Sequence, residues 1–306
     1  MMCSCITPNT EILIIMSVTP THLERCLYLY GRHFPLRKGK MRLVNLLWRK
    51  ALGGQSPIRM SRLNIGGFTM RCDLSQYLQR QYYFFGTYLV EAKILACWKQ
   101  FARGAKTIFD VGANSGIYSL ASLAASPGAA VHAFEPTHEL TLRLMETSKI
   151  NHISTLRIHE LAVTSYTGTA YLNYCTGSNG DNEGMNFISE KNQTKMGTAV
   201  KTITLDDFCA ENNIDRIDLL KLDVQGCESD VLAGANRLLR EKRITAVFTE
   251  LNWSDRSDMP CPASESLEIL SRNGFEFADP KKTLEFKPSG NWLRKITEVC
   301  ARLQPK

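Results

Sequence analysis

The stretch TIFDVGANSGIYSLASLA, Thr107 to Ala124, constrains the fold of this chain more than any other. Thr107–Val111 reads as a buried strand. Gly112, Asn114 and Gly116 make a tight turn, and Ile117–Ala124 opens a helix. A strand, a glycine-rich turn and a helix N-terminus bring backbone close to a ligand and aim free N–H groups at it. The dinucleotide fingerprint G-x-G-x-x-G is not met: Asn114 stands where its second glycine belongs, and no third follows at the required spacing. The strand also delivers a carboxylate, Asp110, which repels a pyrophosphate and attracts a cation such as an amino group.

A second carboxylate sharpens this reading. VHAFEP, Val131–Pro136, is a short apolar strand ending in Glu135, 25 residues after Asp110. An acid at the tip of the second strand of a βαβ unit accepts hydrogen bonds from ribose hydroxyls. Either half alone fits any α/β protein. Together, at one βαβ spacing, they point to S-adenosyl-L-methionine rather than NAD.

The rest of the chain supplies the other layers. From Lys106 onward strands are predicted at Thr107–Val111, Val131–Glu135, Leu156–Val163, Asp218–Asp223 and Ile244–Leu251. Helices are predicted between them at Ile117–Ala124, Glu139–Asn151, Leu205–Asn212 and Ser229–Arg240. This alternation specifies a doubly wound, mostly parallel sheet, a Rossmann-like α/β fold. Gly168–Tyr174 and Ala199–Thr204 read as extra strands flanking a polar loop. A helix near Ser264–Arg272 precedes Phe275–Ala278 and Leu284–Lys287, which read as a closing hairpin. Upstream, His22–Leu52 reads as helix broken near Pro35, Arg59–Leu74 as a hairpin around Gly66-Gly67, and Leu78–Phe101 as helix interrupted near Gly86. The chain thus divides into three regions: a disordered extension over 1–20, a basic helical and hairpin cap over 21–104, and a catalytic domain over 105–306.

Charge separates the halves. Residues 1–109 hold 16 Lys+Arg and 4 Asp+Glu, a net of +12, whereas the remaining 21 basic and 26 acidic residues net −5. The densest basic stretch is Arg32–Lys50, with Arg37, Lys38, Lys40, Arg42, Arg49 and Lys50 interleaved with Leu43, Leu46 and Leu47. Such a stretch suits peripheral contact with an anionic membrane, contact with a phosphate-bearing substrate, or a solvated helix packed on the catalytic domain. The longest apolar run near the start, Ile12–Val18, is too short to span a bilayer and lacks signal-peptide flanks. A cytoplasmic protein is expected, peripheral at the membrane if the basic stretch docks there. The ten cysteines are scattered without a C-x-x-C pair, so no zinc knuckle is indicated. Cys227 is expected to be a small buried hydrophobe.

LLKLDVQGCESDVLAGA, Leu219–Ala235, is the second motif that carries chemistry. LLKLDV reads as a buried strand ending in Asp223, and Gly226 permits a turn before the next helix. In open α/β sheets, ligands collect at the carboxyl ends of the strands, so Asp110, Glu135, Asp223 and Glu250 are expected on one rim. Asp223 is placed to orient or deprotonate an acceptor hydroxyl. Lys221, two residues earlier on the same side of the strand, lowers the pKa of a neighbouring carboxylate or binds substrate. The competing reading makes Asp223 a helix cap and Lys221 a neutralising charge.

DVGANSG with AFEP and KLDVQGCESDVLAGA resembles the FkbM family of S-adenosylmethionine-dependent methyltransferases. The resemblance covers roughly Tyr82–Leu251, and FFGTYLVE ahead of the first strand also fits. It implies a Rossmann-like class I methyltransferase with Asp110, Gly112, Asn114, Gly116 and Glu135 at the cofactor and Asp223 in the active site. The family's usual run is close to K-I-D-V-E-G-x-E. Gln225 stands at its second acid, so a role needing charge there is absent, while Glu228 matches the later acid.

The polar loop GSNGDNEGMN, Gly177–Asn186, offers Asn179, Asp181, Asn182 and Asn186 to the acceptor. Glu250 and Asn252 end the strand ITAVFTELNW and are candidates for acceptor hydroxyls; a divalent cation there is the weaker reading, and no metal is assigned. Trp253 either stacks on a sugar or packs at the rim. His138, His152 and His159 have no partner pattern and are expected to be structural. The chain is therefore expected to O-methylate a hydroxyl of a sugar, glycolipid or polyketide-type metabolite, with Asp223, Lys221 and Glu250 at the chemistry. A small-molecule or glycan acceptor is expected, without nucleic acid or an obligate protein partner. The rivals are a non-catalytic cofactor-binding scaffold and, because of the basic N-terminal region, a nucleic-acid methyltransferase. The position where base methylation uses an Asn/Asp-Pro-Pro-aromatic motif reads DVQG here.

Overall fold

The computed structural model describes residues 19–34, 39–53, 57–173, 187–189, 197–251, 263–281 and 298–303. The expectations for 1–20 therefore lie almost wholly outside the described residues, as do those for Gly177–Asn186, Asn252, Trp253 and Leu284–Lys287.

The N-terminal part begins with α1 (His22–His33), capped by Thr21 accepting from the Glu24 amide, and α2 (Lys40–Ala51). A hairpin of β1 (Ile58–Arg62) and β2 (Thr69–Asp73) comes next, then α3 (Tyr77–Phe85) and α4 (Ala92–Ala102). Arg32 ties these pieces together. Its Nη2 donates to the carbonyls of Tyr82 and Tyr83 at 2.9 and 2.7 Å and to Ser61 Oγ at 2.6 Å. The unit shares its core with the sheet domain. Leu27, Val44, Phe84 and Trp98 belong to one buried cluster with Ile108, Leu120 and Val131.

The remainder alternates strand and helix: β3 (Thr107–Val111), α5 (Ile117–Ala125), β4 (Ala130–Phe134), α6 (His138–Ile150) and β5 (Leu156–His159). Next come β6 (Ala162–Val163), β7 (Gly168–Asn173), β8 (Phe187–Ser189), β9 (Thr198–Ile203) and α7 (Leu205–Glu211). The chain then forms β10 (Ile217–Leu222), α8 (Glu228–Ala233), α9 (Asn236–Arg240) and β11 (Ile244–Glu250). It closes with α10 (Ala263–Arg272), β12 (Phe275–Ala278) and β13 (Glu298–Leu303). Among the described residues, seven strands form one sheet in the order β12-β13-β11-β10-β3-β4-β5. β3, β4, β5, β10 and β11 run parallel, and β13 is antiparallel to both neighbours. The chain winds outward from β3 to β5, then crosses back to β10. The crevice between β3 and β10 is therefore the switch point where such sheets bind ligands.

Two expectations change. Leu156–Val163 is not one strand: β5 stays in the main sheet, and β6 pairs with β9 in a second sheet ordered β6-β9-β7-β8. Ser229–Arg240 is two short helices meeting at Gly234, where a Cβ would stand 2.2 Å from the Thr164 carbonyl oxygen. In addition, β12 pairs with Glu298–Leu303, whose Val299, Cys300 and Ala301 are fully buried between β11 and β12.

Candidate active site

The turn after β3 is shaped by two close approaches. Gly112 has φ 78°, and a Cβ there would lie 1.9 Å from the Asp223 carbonyl oxygen. Only glycine lets the loop after β10 close over the loop after β3. Gly116, φ 76°, starts α5 where a Cβ would lie 2.2 Å from Leu144 of α6. Between them the Asn114 amide donates to Glu135 Oε2 at 2.8 Å, and the Thr137 amide donates to Oε1 at 2.9 Å. Burial pushes the Glu135 carboxyl up against these backbone donors, and the net direction is upward. Each oxygen keeps a lone pair for a ligand hydroxyl.

Glu135, Asp223 and Glu250 line one cavity of about 330 Å³ over the β3–β10 switch point. Asp110 does not join them. It lies one residue inside β3, 1% exposed, and its Oδ2 accepts from Ser119 N at 2.8 Å and Ser119 Oγ at 2.6 Å. It anchors the first turn of α5 behind the cavity wall, so the expected rim of four carboxylates is a rim of three strand-end acids.

The fourth acid comes from elsewhere. Glu91, just ahead of α4, lines the cavity, and its Oε2 accepts from Tyr118 Oη at 2.8 Å. Tyr82 and Ser115 line it too, joined by a 3.0 Å bond from Ser115 Oγ to Tyr82 Oη. Sequence reasoning passes over Glu91, although it is the one acid between Asp73 and Asp110 and ends the stretch FFGTYLVE.

At the β10–β11 side the charges are coupled. Lys221, 4% exposed, donates from Nζ to Asp223 Oδ2 at 3.2 Å and lies 4.8 Å over the Tyr118 ring. Gln225, at φ 55°, bridges two acids: its Nε2 donates to Asp223 Oδ1 at 2.9 Å and Glu250 Oε2 at 3.1 Å. That amide brings the two carboxyls together over the strand ends. Burial opposes ionisation of Asp223, but Lys221, Glu250 and Gln225 outweigh it and hold its carboxyl below the usual range. Burial and the Asp223 charge push Glu250 up to about 9. Asp223 is therefore the readily ionised member of the pair, and Glu250 the one that holds a proton more tightly. Burial likewise disfavours charge on Lys221, yet Asp223, Glu91, Glu250 and Asp110 keep its pKa raised. The loop itself is clipped by Glu228, which accepts from Val224 N at 3.0 Å and Gly226 N at 3.1 Å. Glu228 is thus a loop anchor.

Asn179, Asp181, Asn182, Asn186 and Asn252 lie outside the described residues. His159 is structural, stacked on His132 with centroids 5.3 Å apart, while His138 pairs with Glu160 at 2.8 Å on the surface. Cys227 is buried, 1% exposed.

Phe134, Leu140, Leu161 and Val163 give the cavity an apolar slot beside Glu135, suited to a flat base next to a ribose, while Glu91 and Asp223 suit a cationic group. Its volume falls within the range of small-molecule sites. These residues fit S-adenosylmethionine.

A parallel sheet with one reversed strand, a glycine turn at its switch point and an acid at the tip of the next strand define a Rossmann-like, S-adenosylmethionine-dependent methyltransferase. The family model described as "Methyltransferase FkbM domain" matches residues 110–277, more than half of the chain. The chain belongs to the FkbM methyltransferase family. It is 29% identical over 177 residues to the 2-O-methyltransferase NoeI of Sinorhizobium fredii, covering 53% of this chain and 70% of that protein. It is 26% identical over 198 residues to the 31-O-demethyl-FK506 methyltransferase FkbM of Streptomyces tacrolimicus, covering 56% and 74%. A SAM-dependent methyltransferase structure from Agrobacterium tumefaciens aligns with TM-score 0.41 at 12% identity, over 81% of this chain and 70% of that one.

Proposed function

We propose that this methyltransferase acts on oxygen, at a hydroxyl of a sugar, glycolipid or polyketide-type metabolite. The observation that carries this is the pair of Asp223 and Glu250 carboxyls bridged by the Gln225 amide at 2.9 and 3.1 Å beside the cofactor cradle. An acceptor hydroxyl needs one group to take its hydrogen and others to fix its oxygen, and the cluster offers an anionic acceptor beside amide and carboxyl donors. The Sinorhizobium and Streptomyces relatives carry O-methylation in their names, which supports the same reading.

Bound S-adenosylmethionine supplies an electrophilic methyl on a sulfonium. Glu135 accepts the ribose hydroxyls, and the apolar slot takes the base. Glu91, in the place first expected for Asp110, faces the cationic amino-acid end. With the cofactor bound, Asp223 would accept the hydrogen bond of the acceptor O–H, aim the oxygen lone pair and take up the proton, the methyl–sulfonium bond breaking with the thioether as leaving group. Lys221 holds Asp223 in place and keeps it ionised. Alignment of this kind is the main contribution such a site makes. Incubation with labelled S-adenosylmethionine and a panel of glycans, glycolipids and polyketide alcohols, with the methylated atom located by NMR, tests the proposal. O-methyl products lost in Asp223→Asn support it; exclusively N-methyl products overturn it.

A further inference from the structure

Between Ile12 and Cys72 the chain carries eleven Lys and Arg and a single acid, Glu24. That acid is 1% exposed and bound to Arg59 at 2.8 Å. The structure also sorts the basic stretch Arg32–Lys50. Arg32 is spent on carbonyls of α3, and Lys40 is buried with Nζ on the Gly31 carbonyl at 2.9 Å. What remains outward on α2 is one stripe. At 3.6 residues per turn, Arg42, Leu43, Leu46, Arg49 and Lys50 fall within an arc of about 120°. All five are exposed, Leu46 at the centre of the arc by 76% and Leu43 by 39%. The opposite face is committed inward: Val44 and Ala51 are buried, and the Trp48 ring lies 3.9 Å beneath the Arg80 guanidinium.

We propose that this stripe docks the protein peripherally on an anionic lipid bilayer. A leucine standing out at the centre of three cations matches the layered chemistry of a membrane surface. Leu46 enters the acyl boundary while Arg42, Arg49 and Lys50 keep their heads among the lipid phosphates. The excess of cations over the segment from Ile12 to Cys72, whose one acid is buried, supplies charge complementarity to that surface. A nucleic acid satisfies only half of it, since phosphates answer the cations but leave the exposed leucine in water. Docking here rests on α2 and is independent of the methyl acceptor. Among the described residues no helix is long and apolar enough to cross a membrane, so contact through this face would lie on the surface.

Sedimentation of the full chain with phosphatidylserine-containing vesicles at low salt, against pure phosphatidylcholine vesicles, tests the proposal. Binding is expected only to the anionic vesicles and is expected to fall with salt. Arg42→Gln, Arg49→Gln and Lys50→Gln together should weaken it about 100-fold, at roughly 5-fold per surface cation. Leu46→Gln should weaken it about 10-fold, the value of one buried aliphatic side chain. Lys201→Gln with Arg240→Gln, two exposed cations outside α2, should leave it near wild type. Calorimetric binding of S-adenosylhomocysteine verifies that each variant is folded. Wild type that stays in the supernatant, equal binding to neutral vesicles, or α2 variants that bind like wild type would overturn the proposal. So would α2-dependent binding to RNA without binding to vesicles.

Discussion

Glu250→Gln is the sharpest perturbation the site offers, because its sign runs against intuition for an active-site substitution. Burial and the neighbouring Asp223 charge push the Glu250 carboxyl up to about 9, so it is expected to be protonated in the native protein at neutral pH. Unfolded, it ionises near its ordinary value of about 4.3. A group whose folded pKa is raised contributes stability that is fully present below the unfolded pKa and is lost as pH rises through the folded one. Wild-type stability should therefore carry a loss of about 1.4 kcal/mol per pH unit from this group between those values. Glutamine has the shape of the protonated acid. Its amide donates to Asp223, its oxygen accepts from Gln225, and it has no ionised form for the unfolded chain to favour. At pH 7 the undiscounted gain is roughly 3 to 4 kcal/mol; solvent screening of this partly exposed group reduces it to on the order of 2 kcal/mol. Urea denaturation of both proteins from pH 5 to 9 measures it. The stability difference should be about 0.5 kcal/mol at pH 5 after the same discount, grow steadily in favour of the glutamine variant, and level off above pH 9. A variant less stable than wild type at pH 7, or a difference independent of pH, would show that Glu250 carries no proton in the native site and would remove the carboxyl donor from the mechanism.

The same geometry sets four further outcomes. Glu135→Ala should abolish calorimetric binding of S-adenosylhomocysteine while circular dichroism stays native, since both backbone amides it accepts can turn to water. Glu91→Gln should weaken that binding about tenfold, the scale of one hydrogen bond to a charged group; unchanged affinity would leave the cationic end of the cofactor without its proposed partner. Gly112→Ala should cost about 1 kcal/mol for its positive φ alone and abolish turnover, because the added Cβ must displace the Asp223 backbone. His132 and His159 are held neutral, down to about 4, by burial and by each other or Arg157. The unfolded chain binds their protons first as pH falls below about 6.5, so stability is present above that value and lost towards pH 4. His132, 2% exposed, accounts for about 3 kcal/mol of this, and His132→Phe should flatten the acid limb of a denaturation series.

Much of the site is legible along the chain. DVGANSG specifies its own turn because Gly112 and Gly116 are needed where φ is positive, and that requirement is local. Glu135 can be placed because a βαβ unit brings the tip of its second strand to the first turn whatever the rest of the molecule does. The alternation of apolar runs likewise specifies most strands and helices from Thr107 to Leu251, since side-chain period is a property of the segment itself. What escapes is decided by distance in space. Glu298–Leu303 becomes a sheet strand only because β11 and β12 offer unpaired edges on either side. Asp110 reads as a rim acid, and it is consumed by Ser119. Glu91 reads as one acid in a basic segment, and the packing of α4 on α5 brings it to the cavity. The raised pKa of Glu250 belongs to no sequence pattern. It arises because the fold buries two carboxylates from strands more than twenty residues apart against one lysine, and the electrostatics of a buried site depend on separation and burial that only tertiary packing fixes.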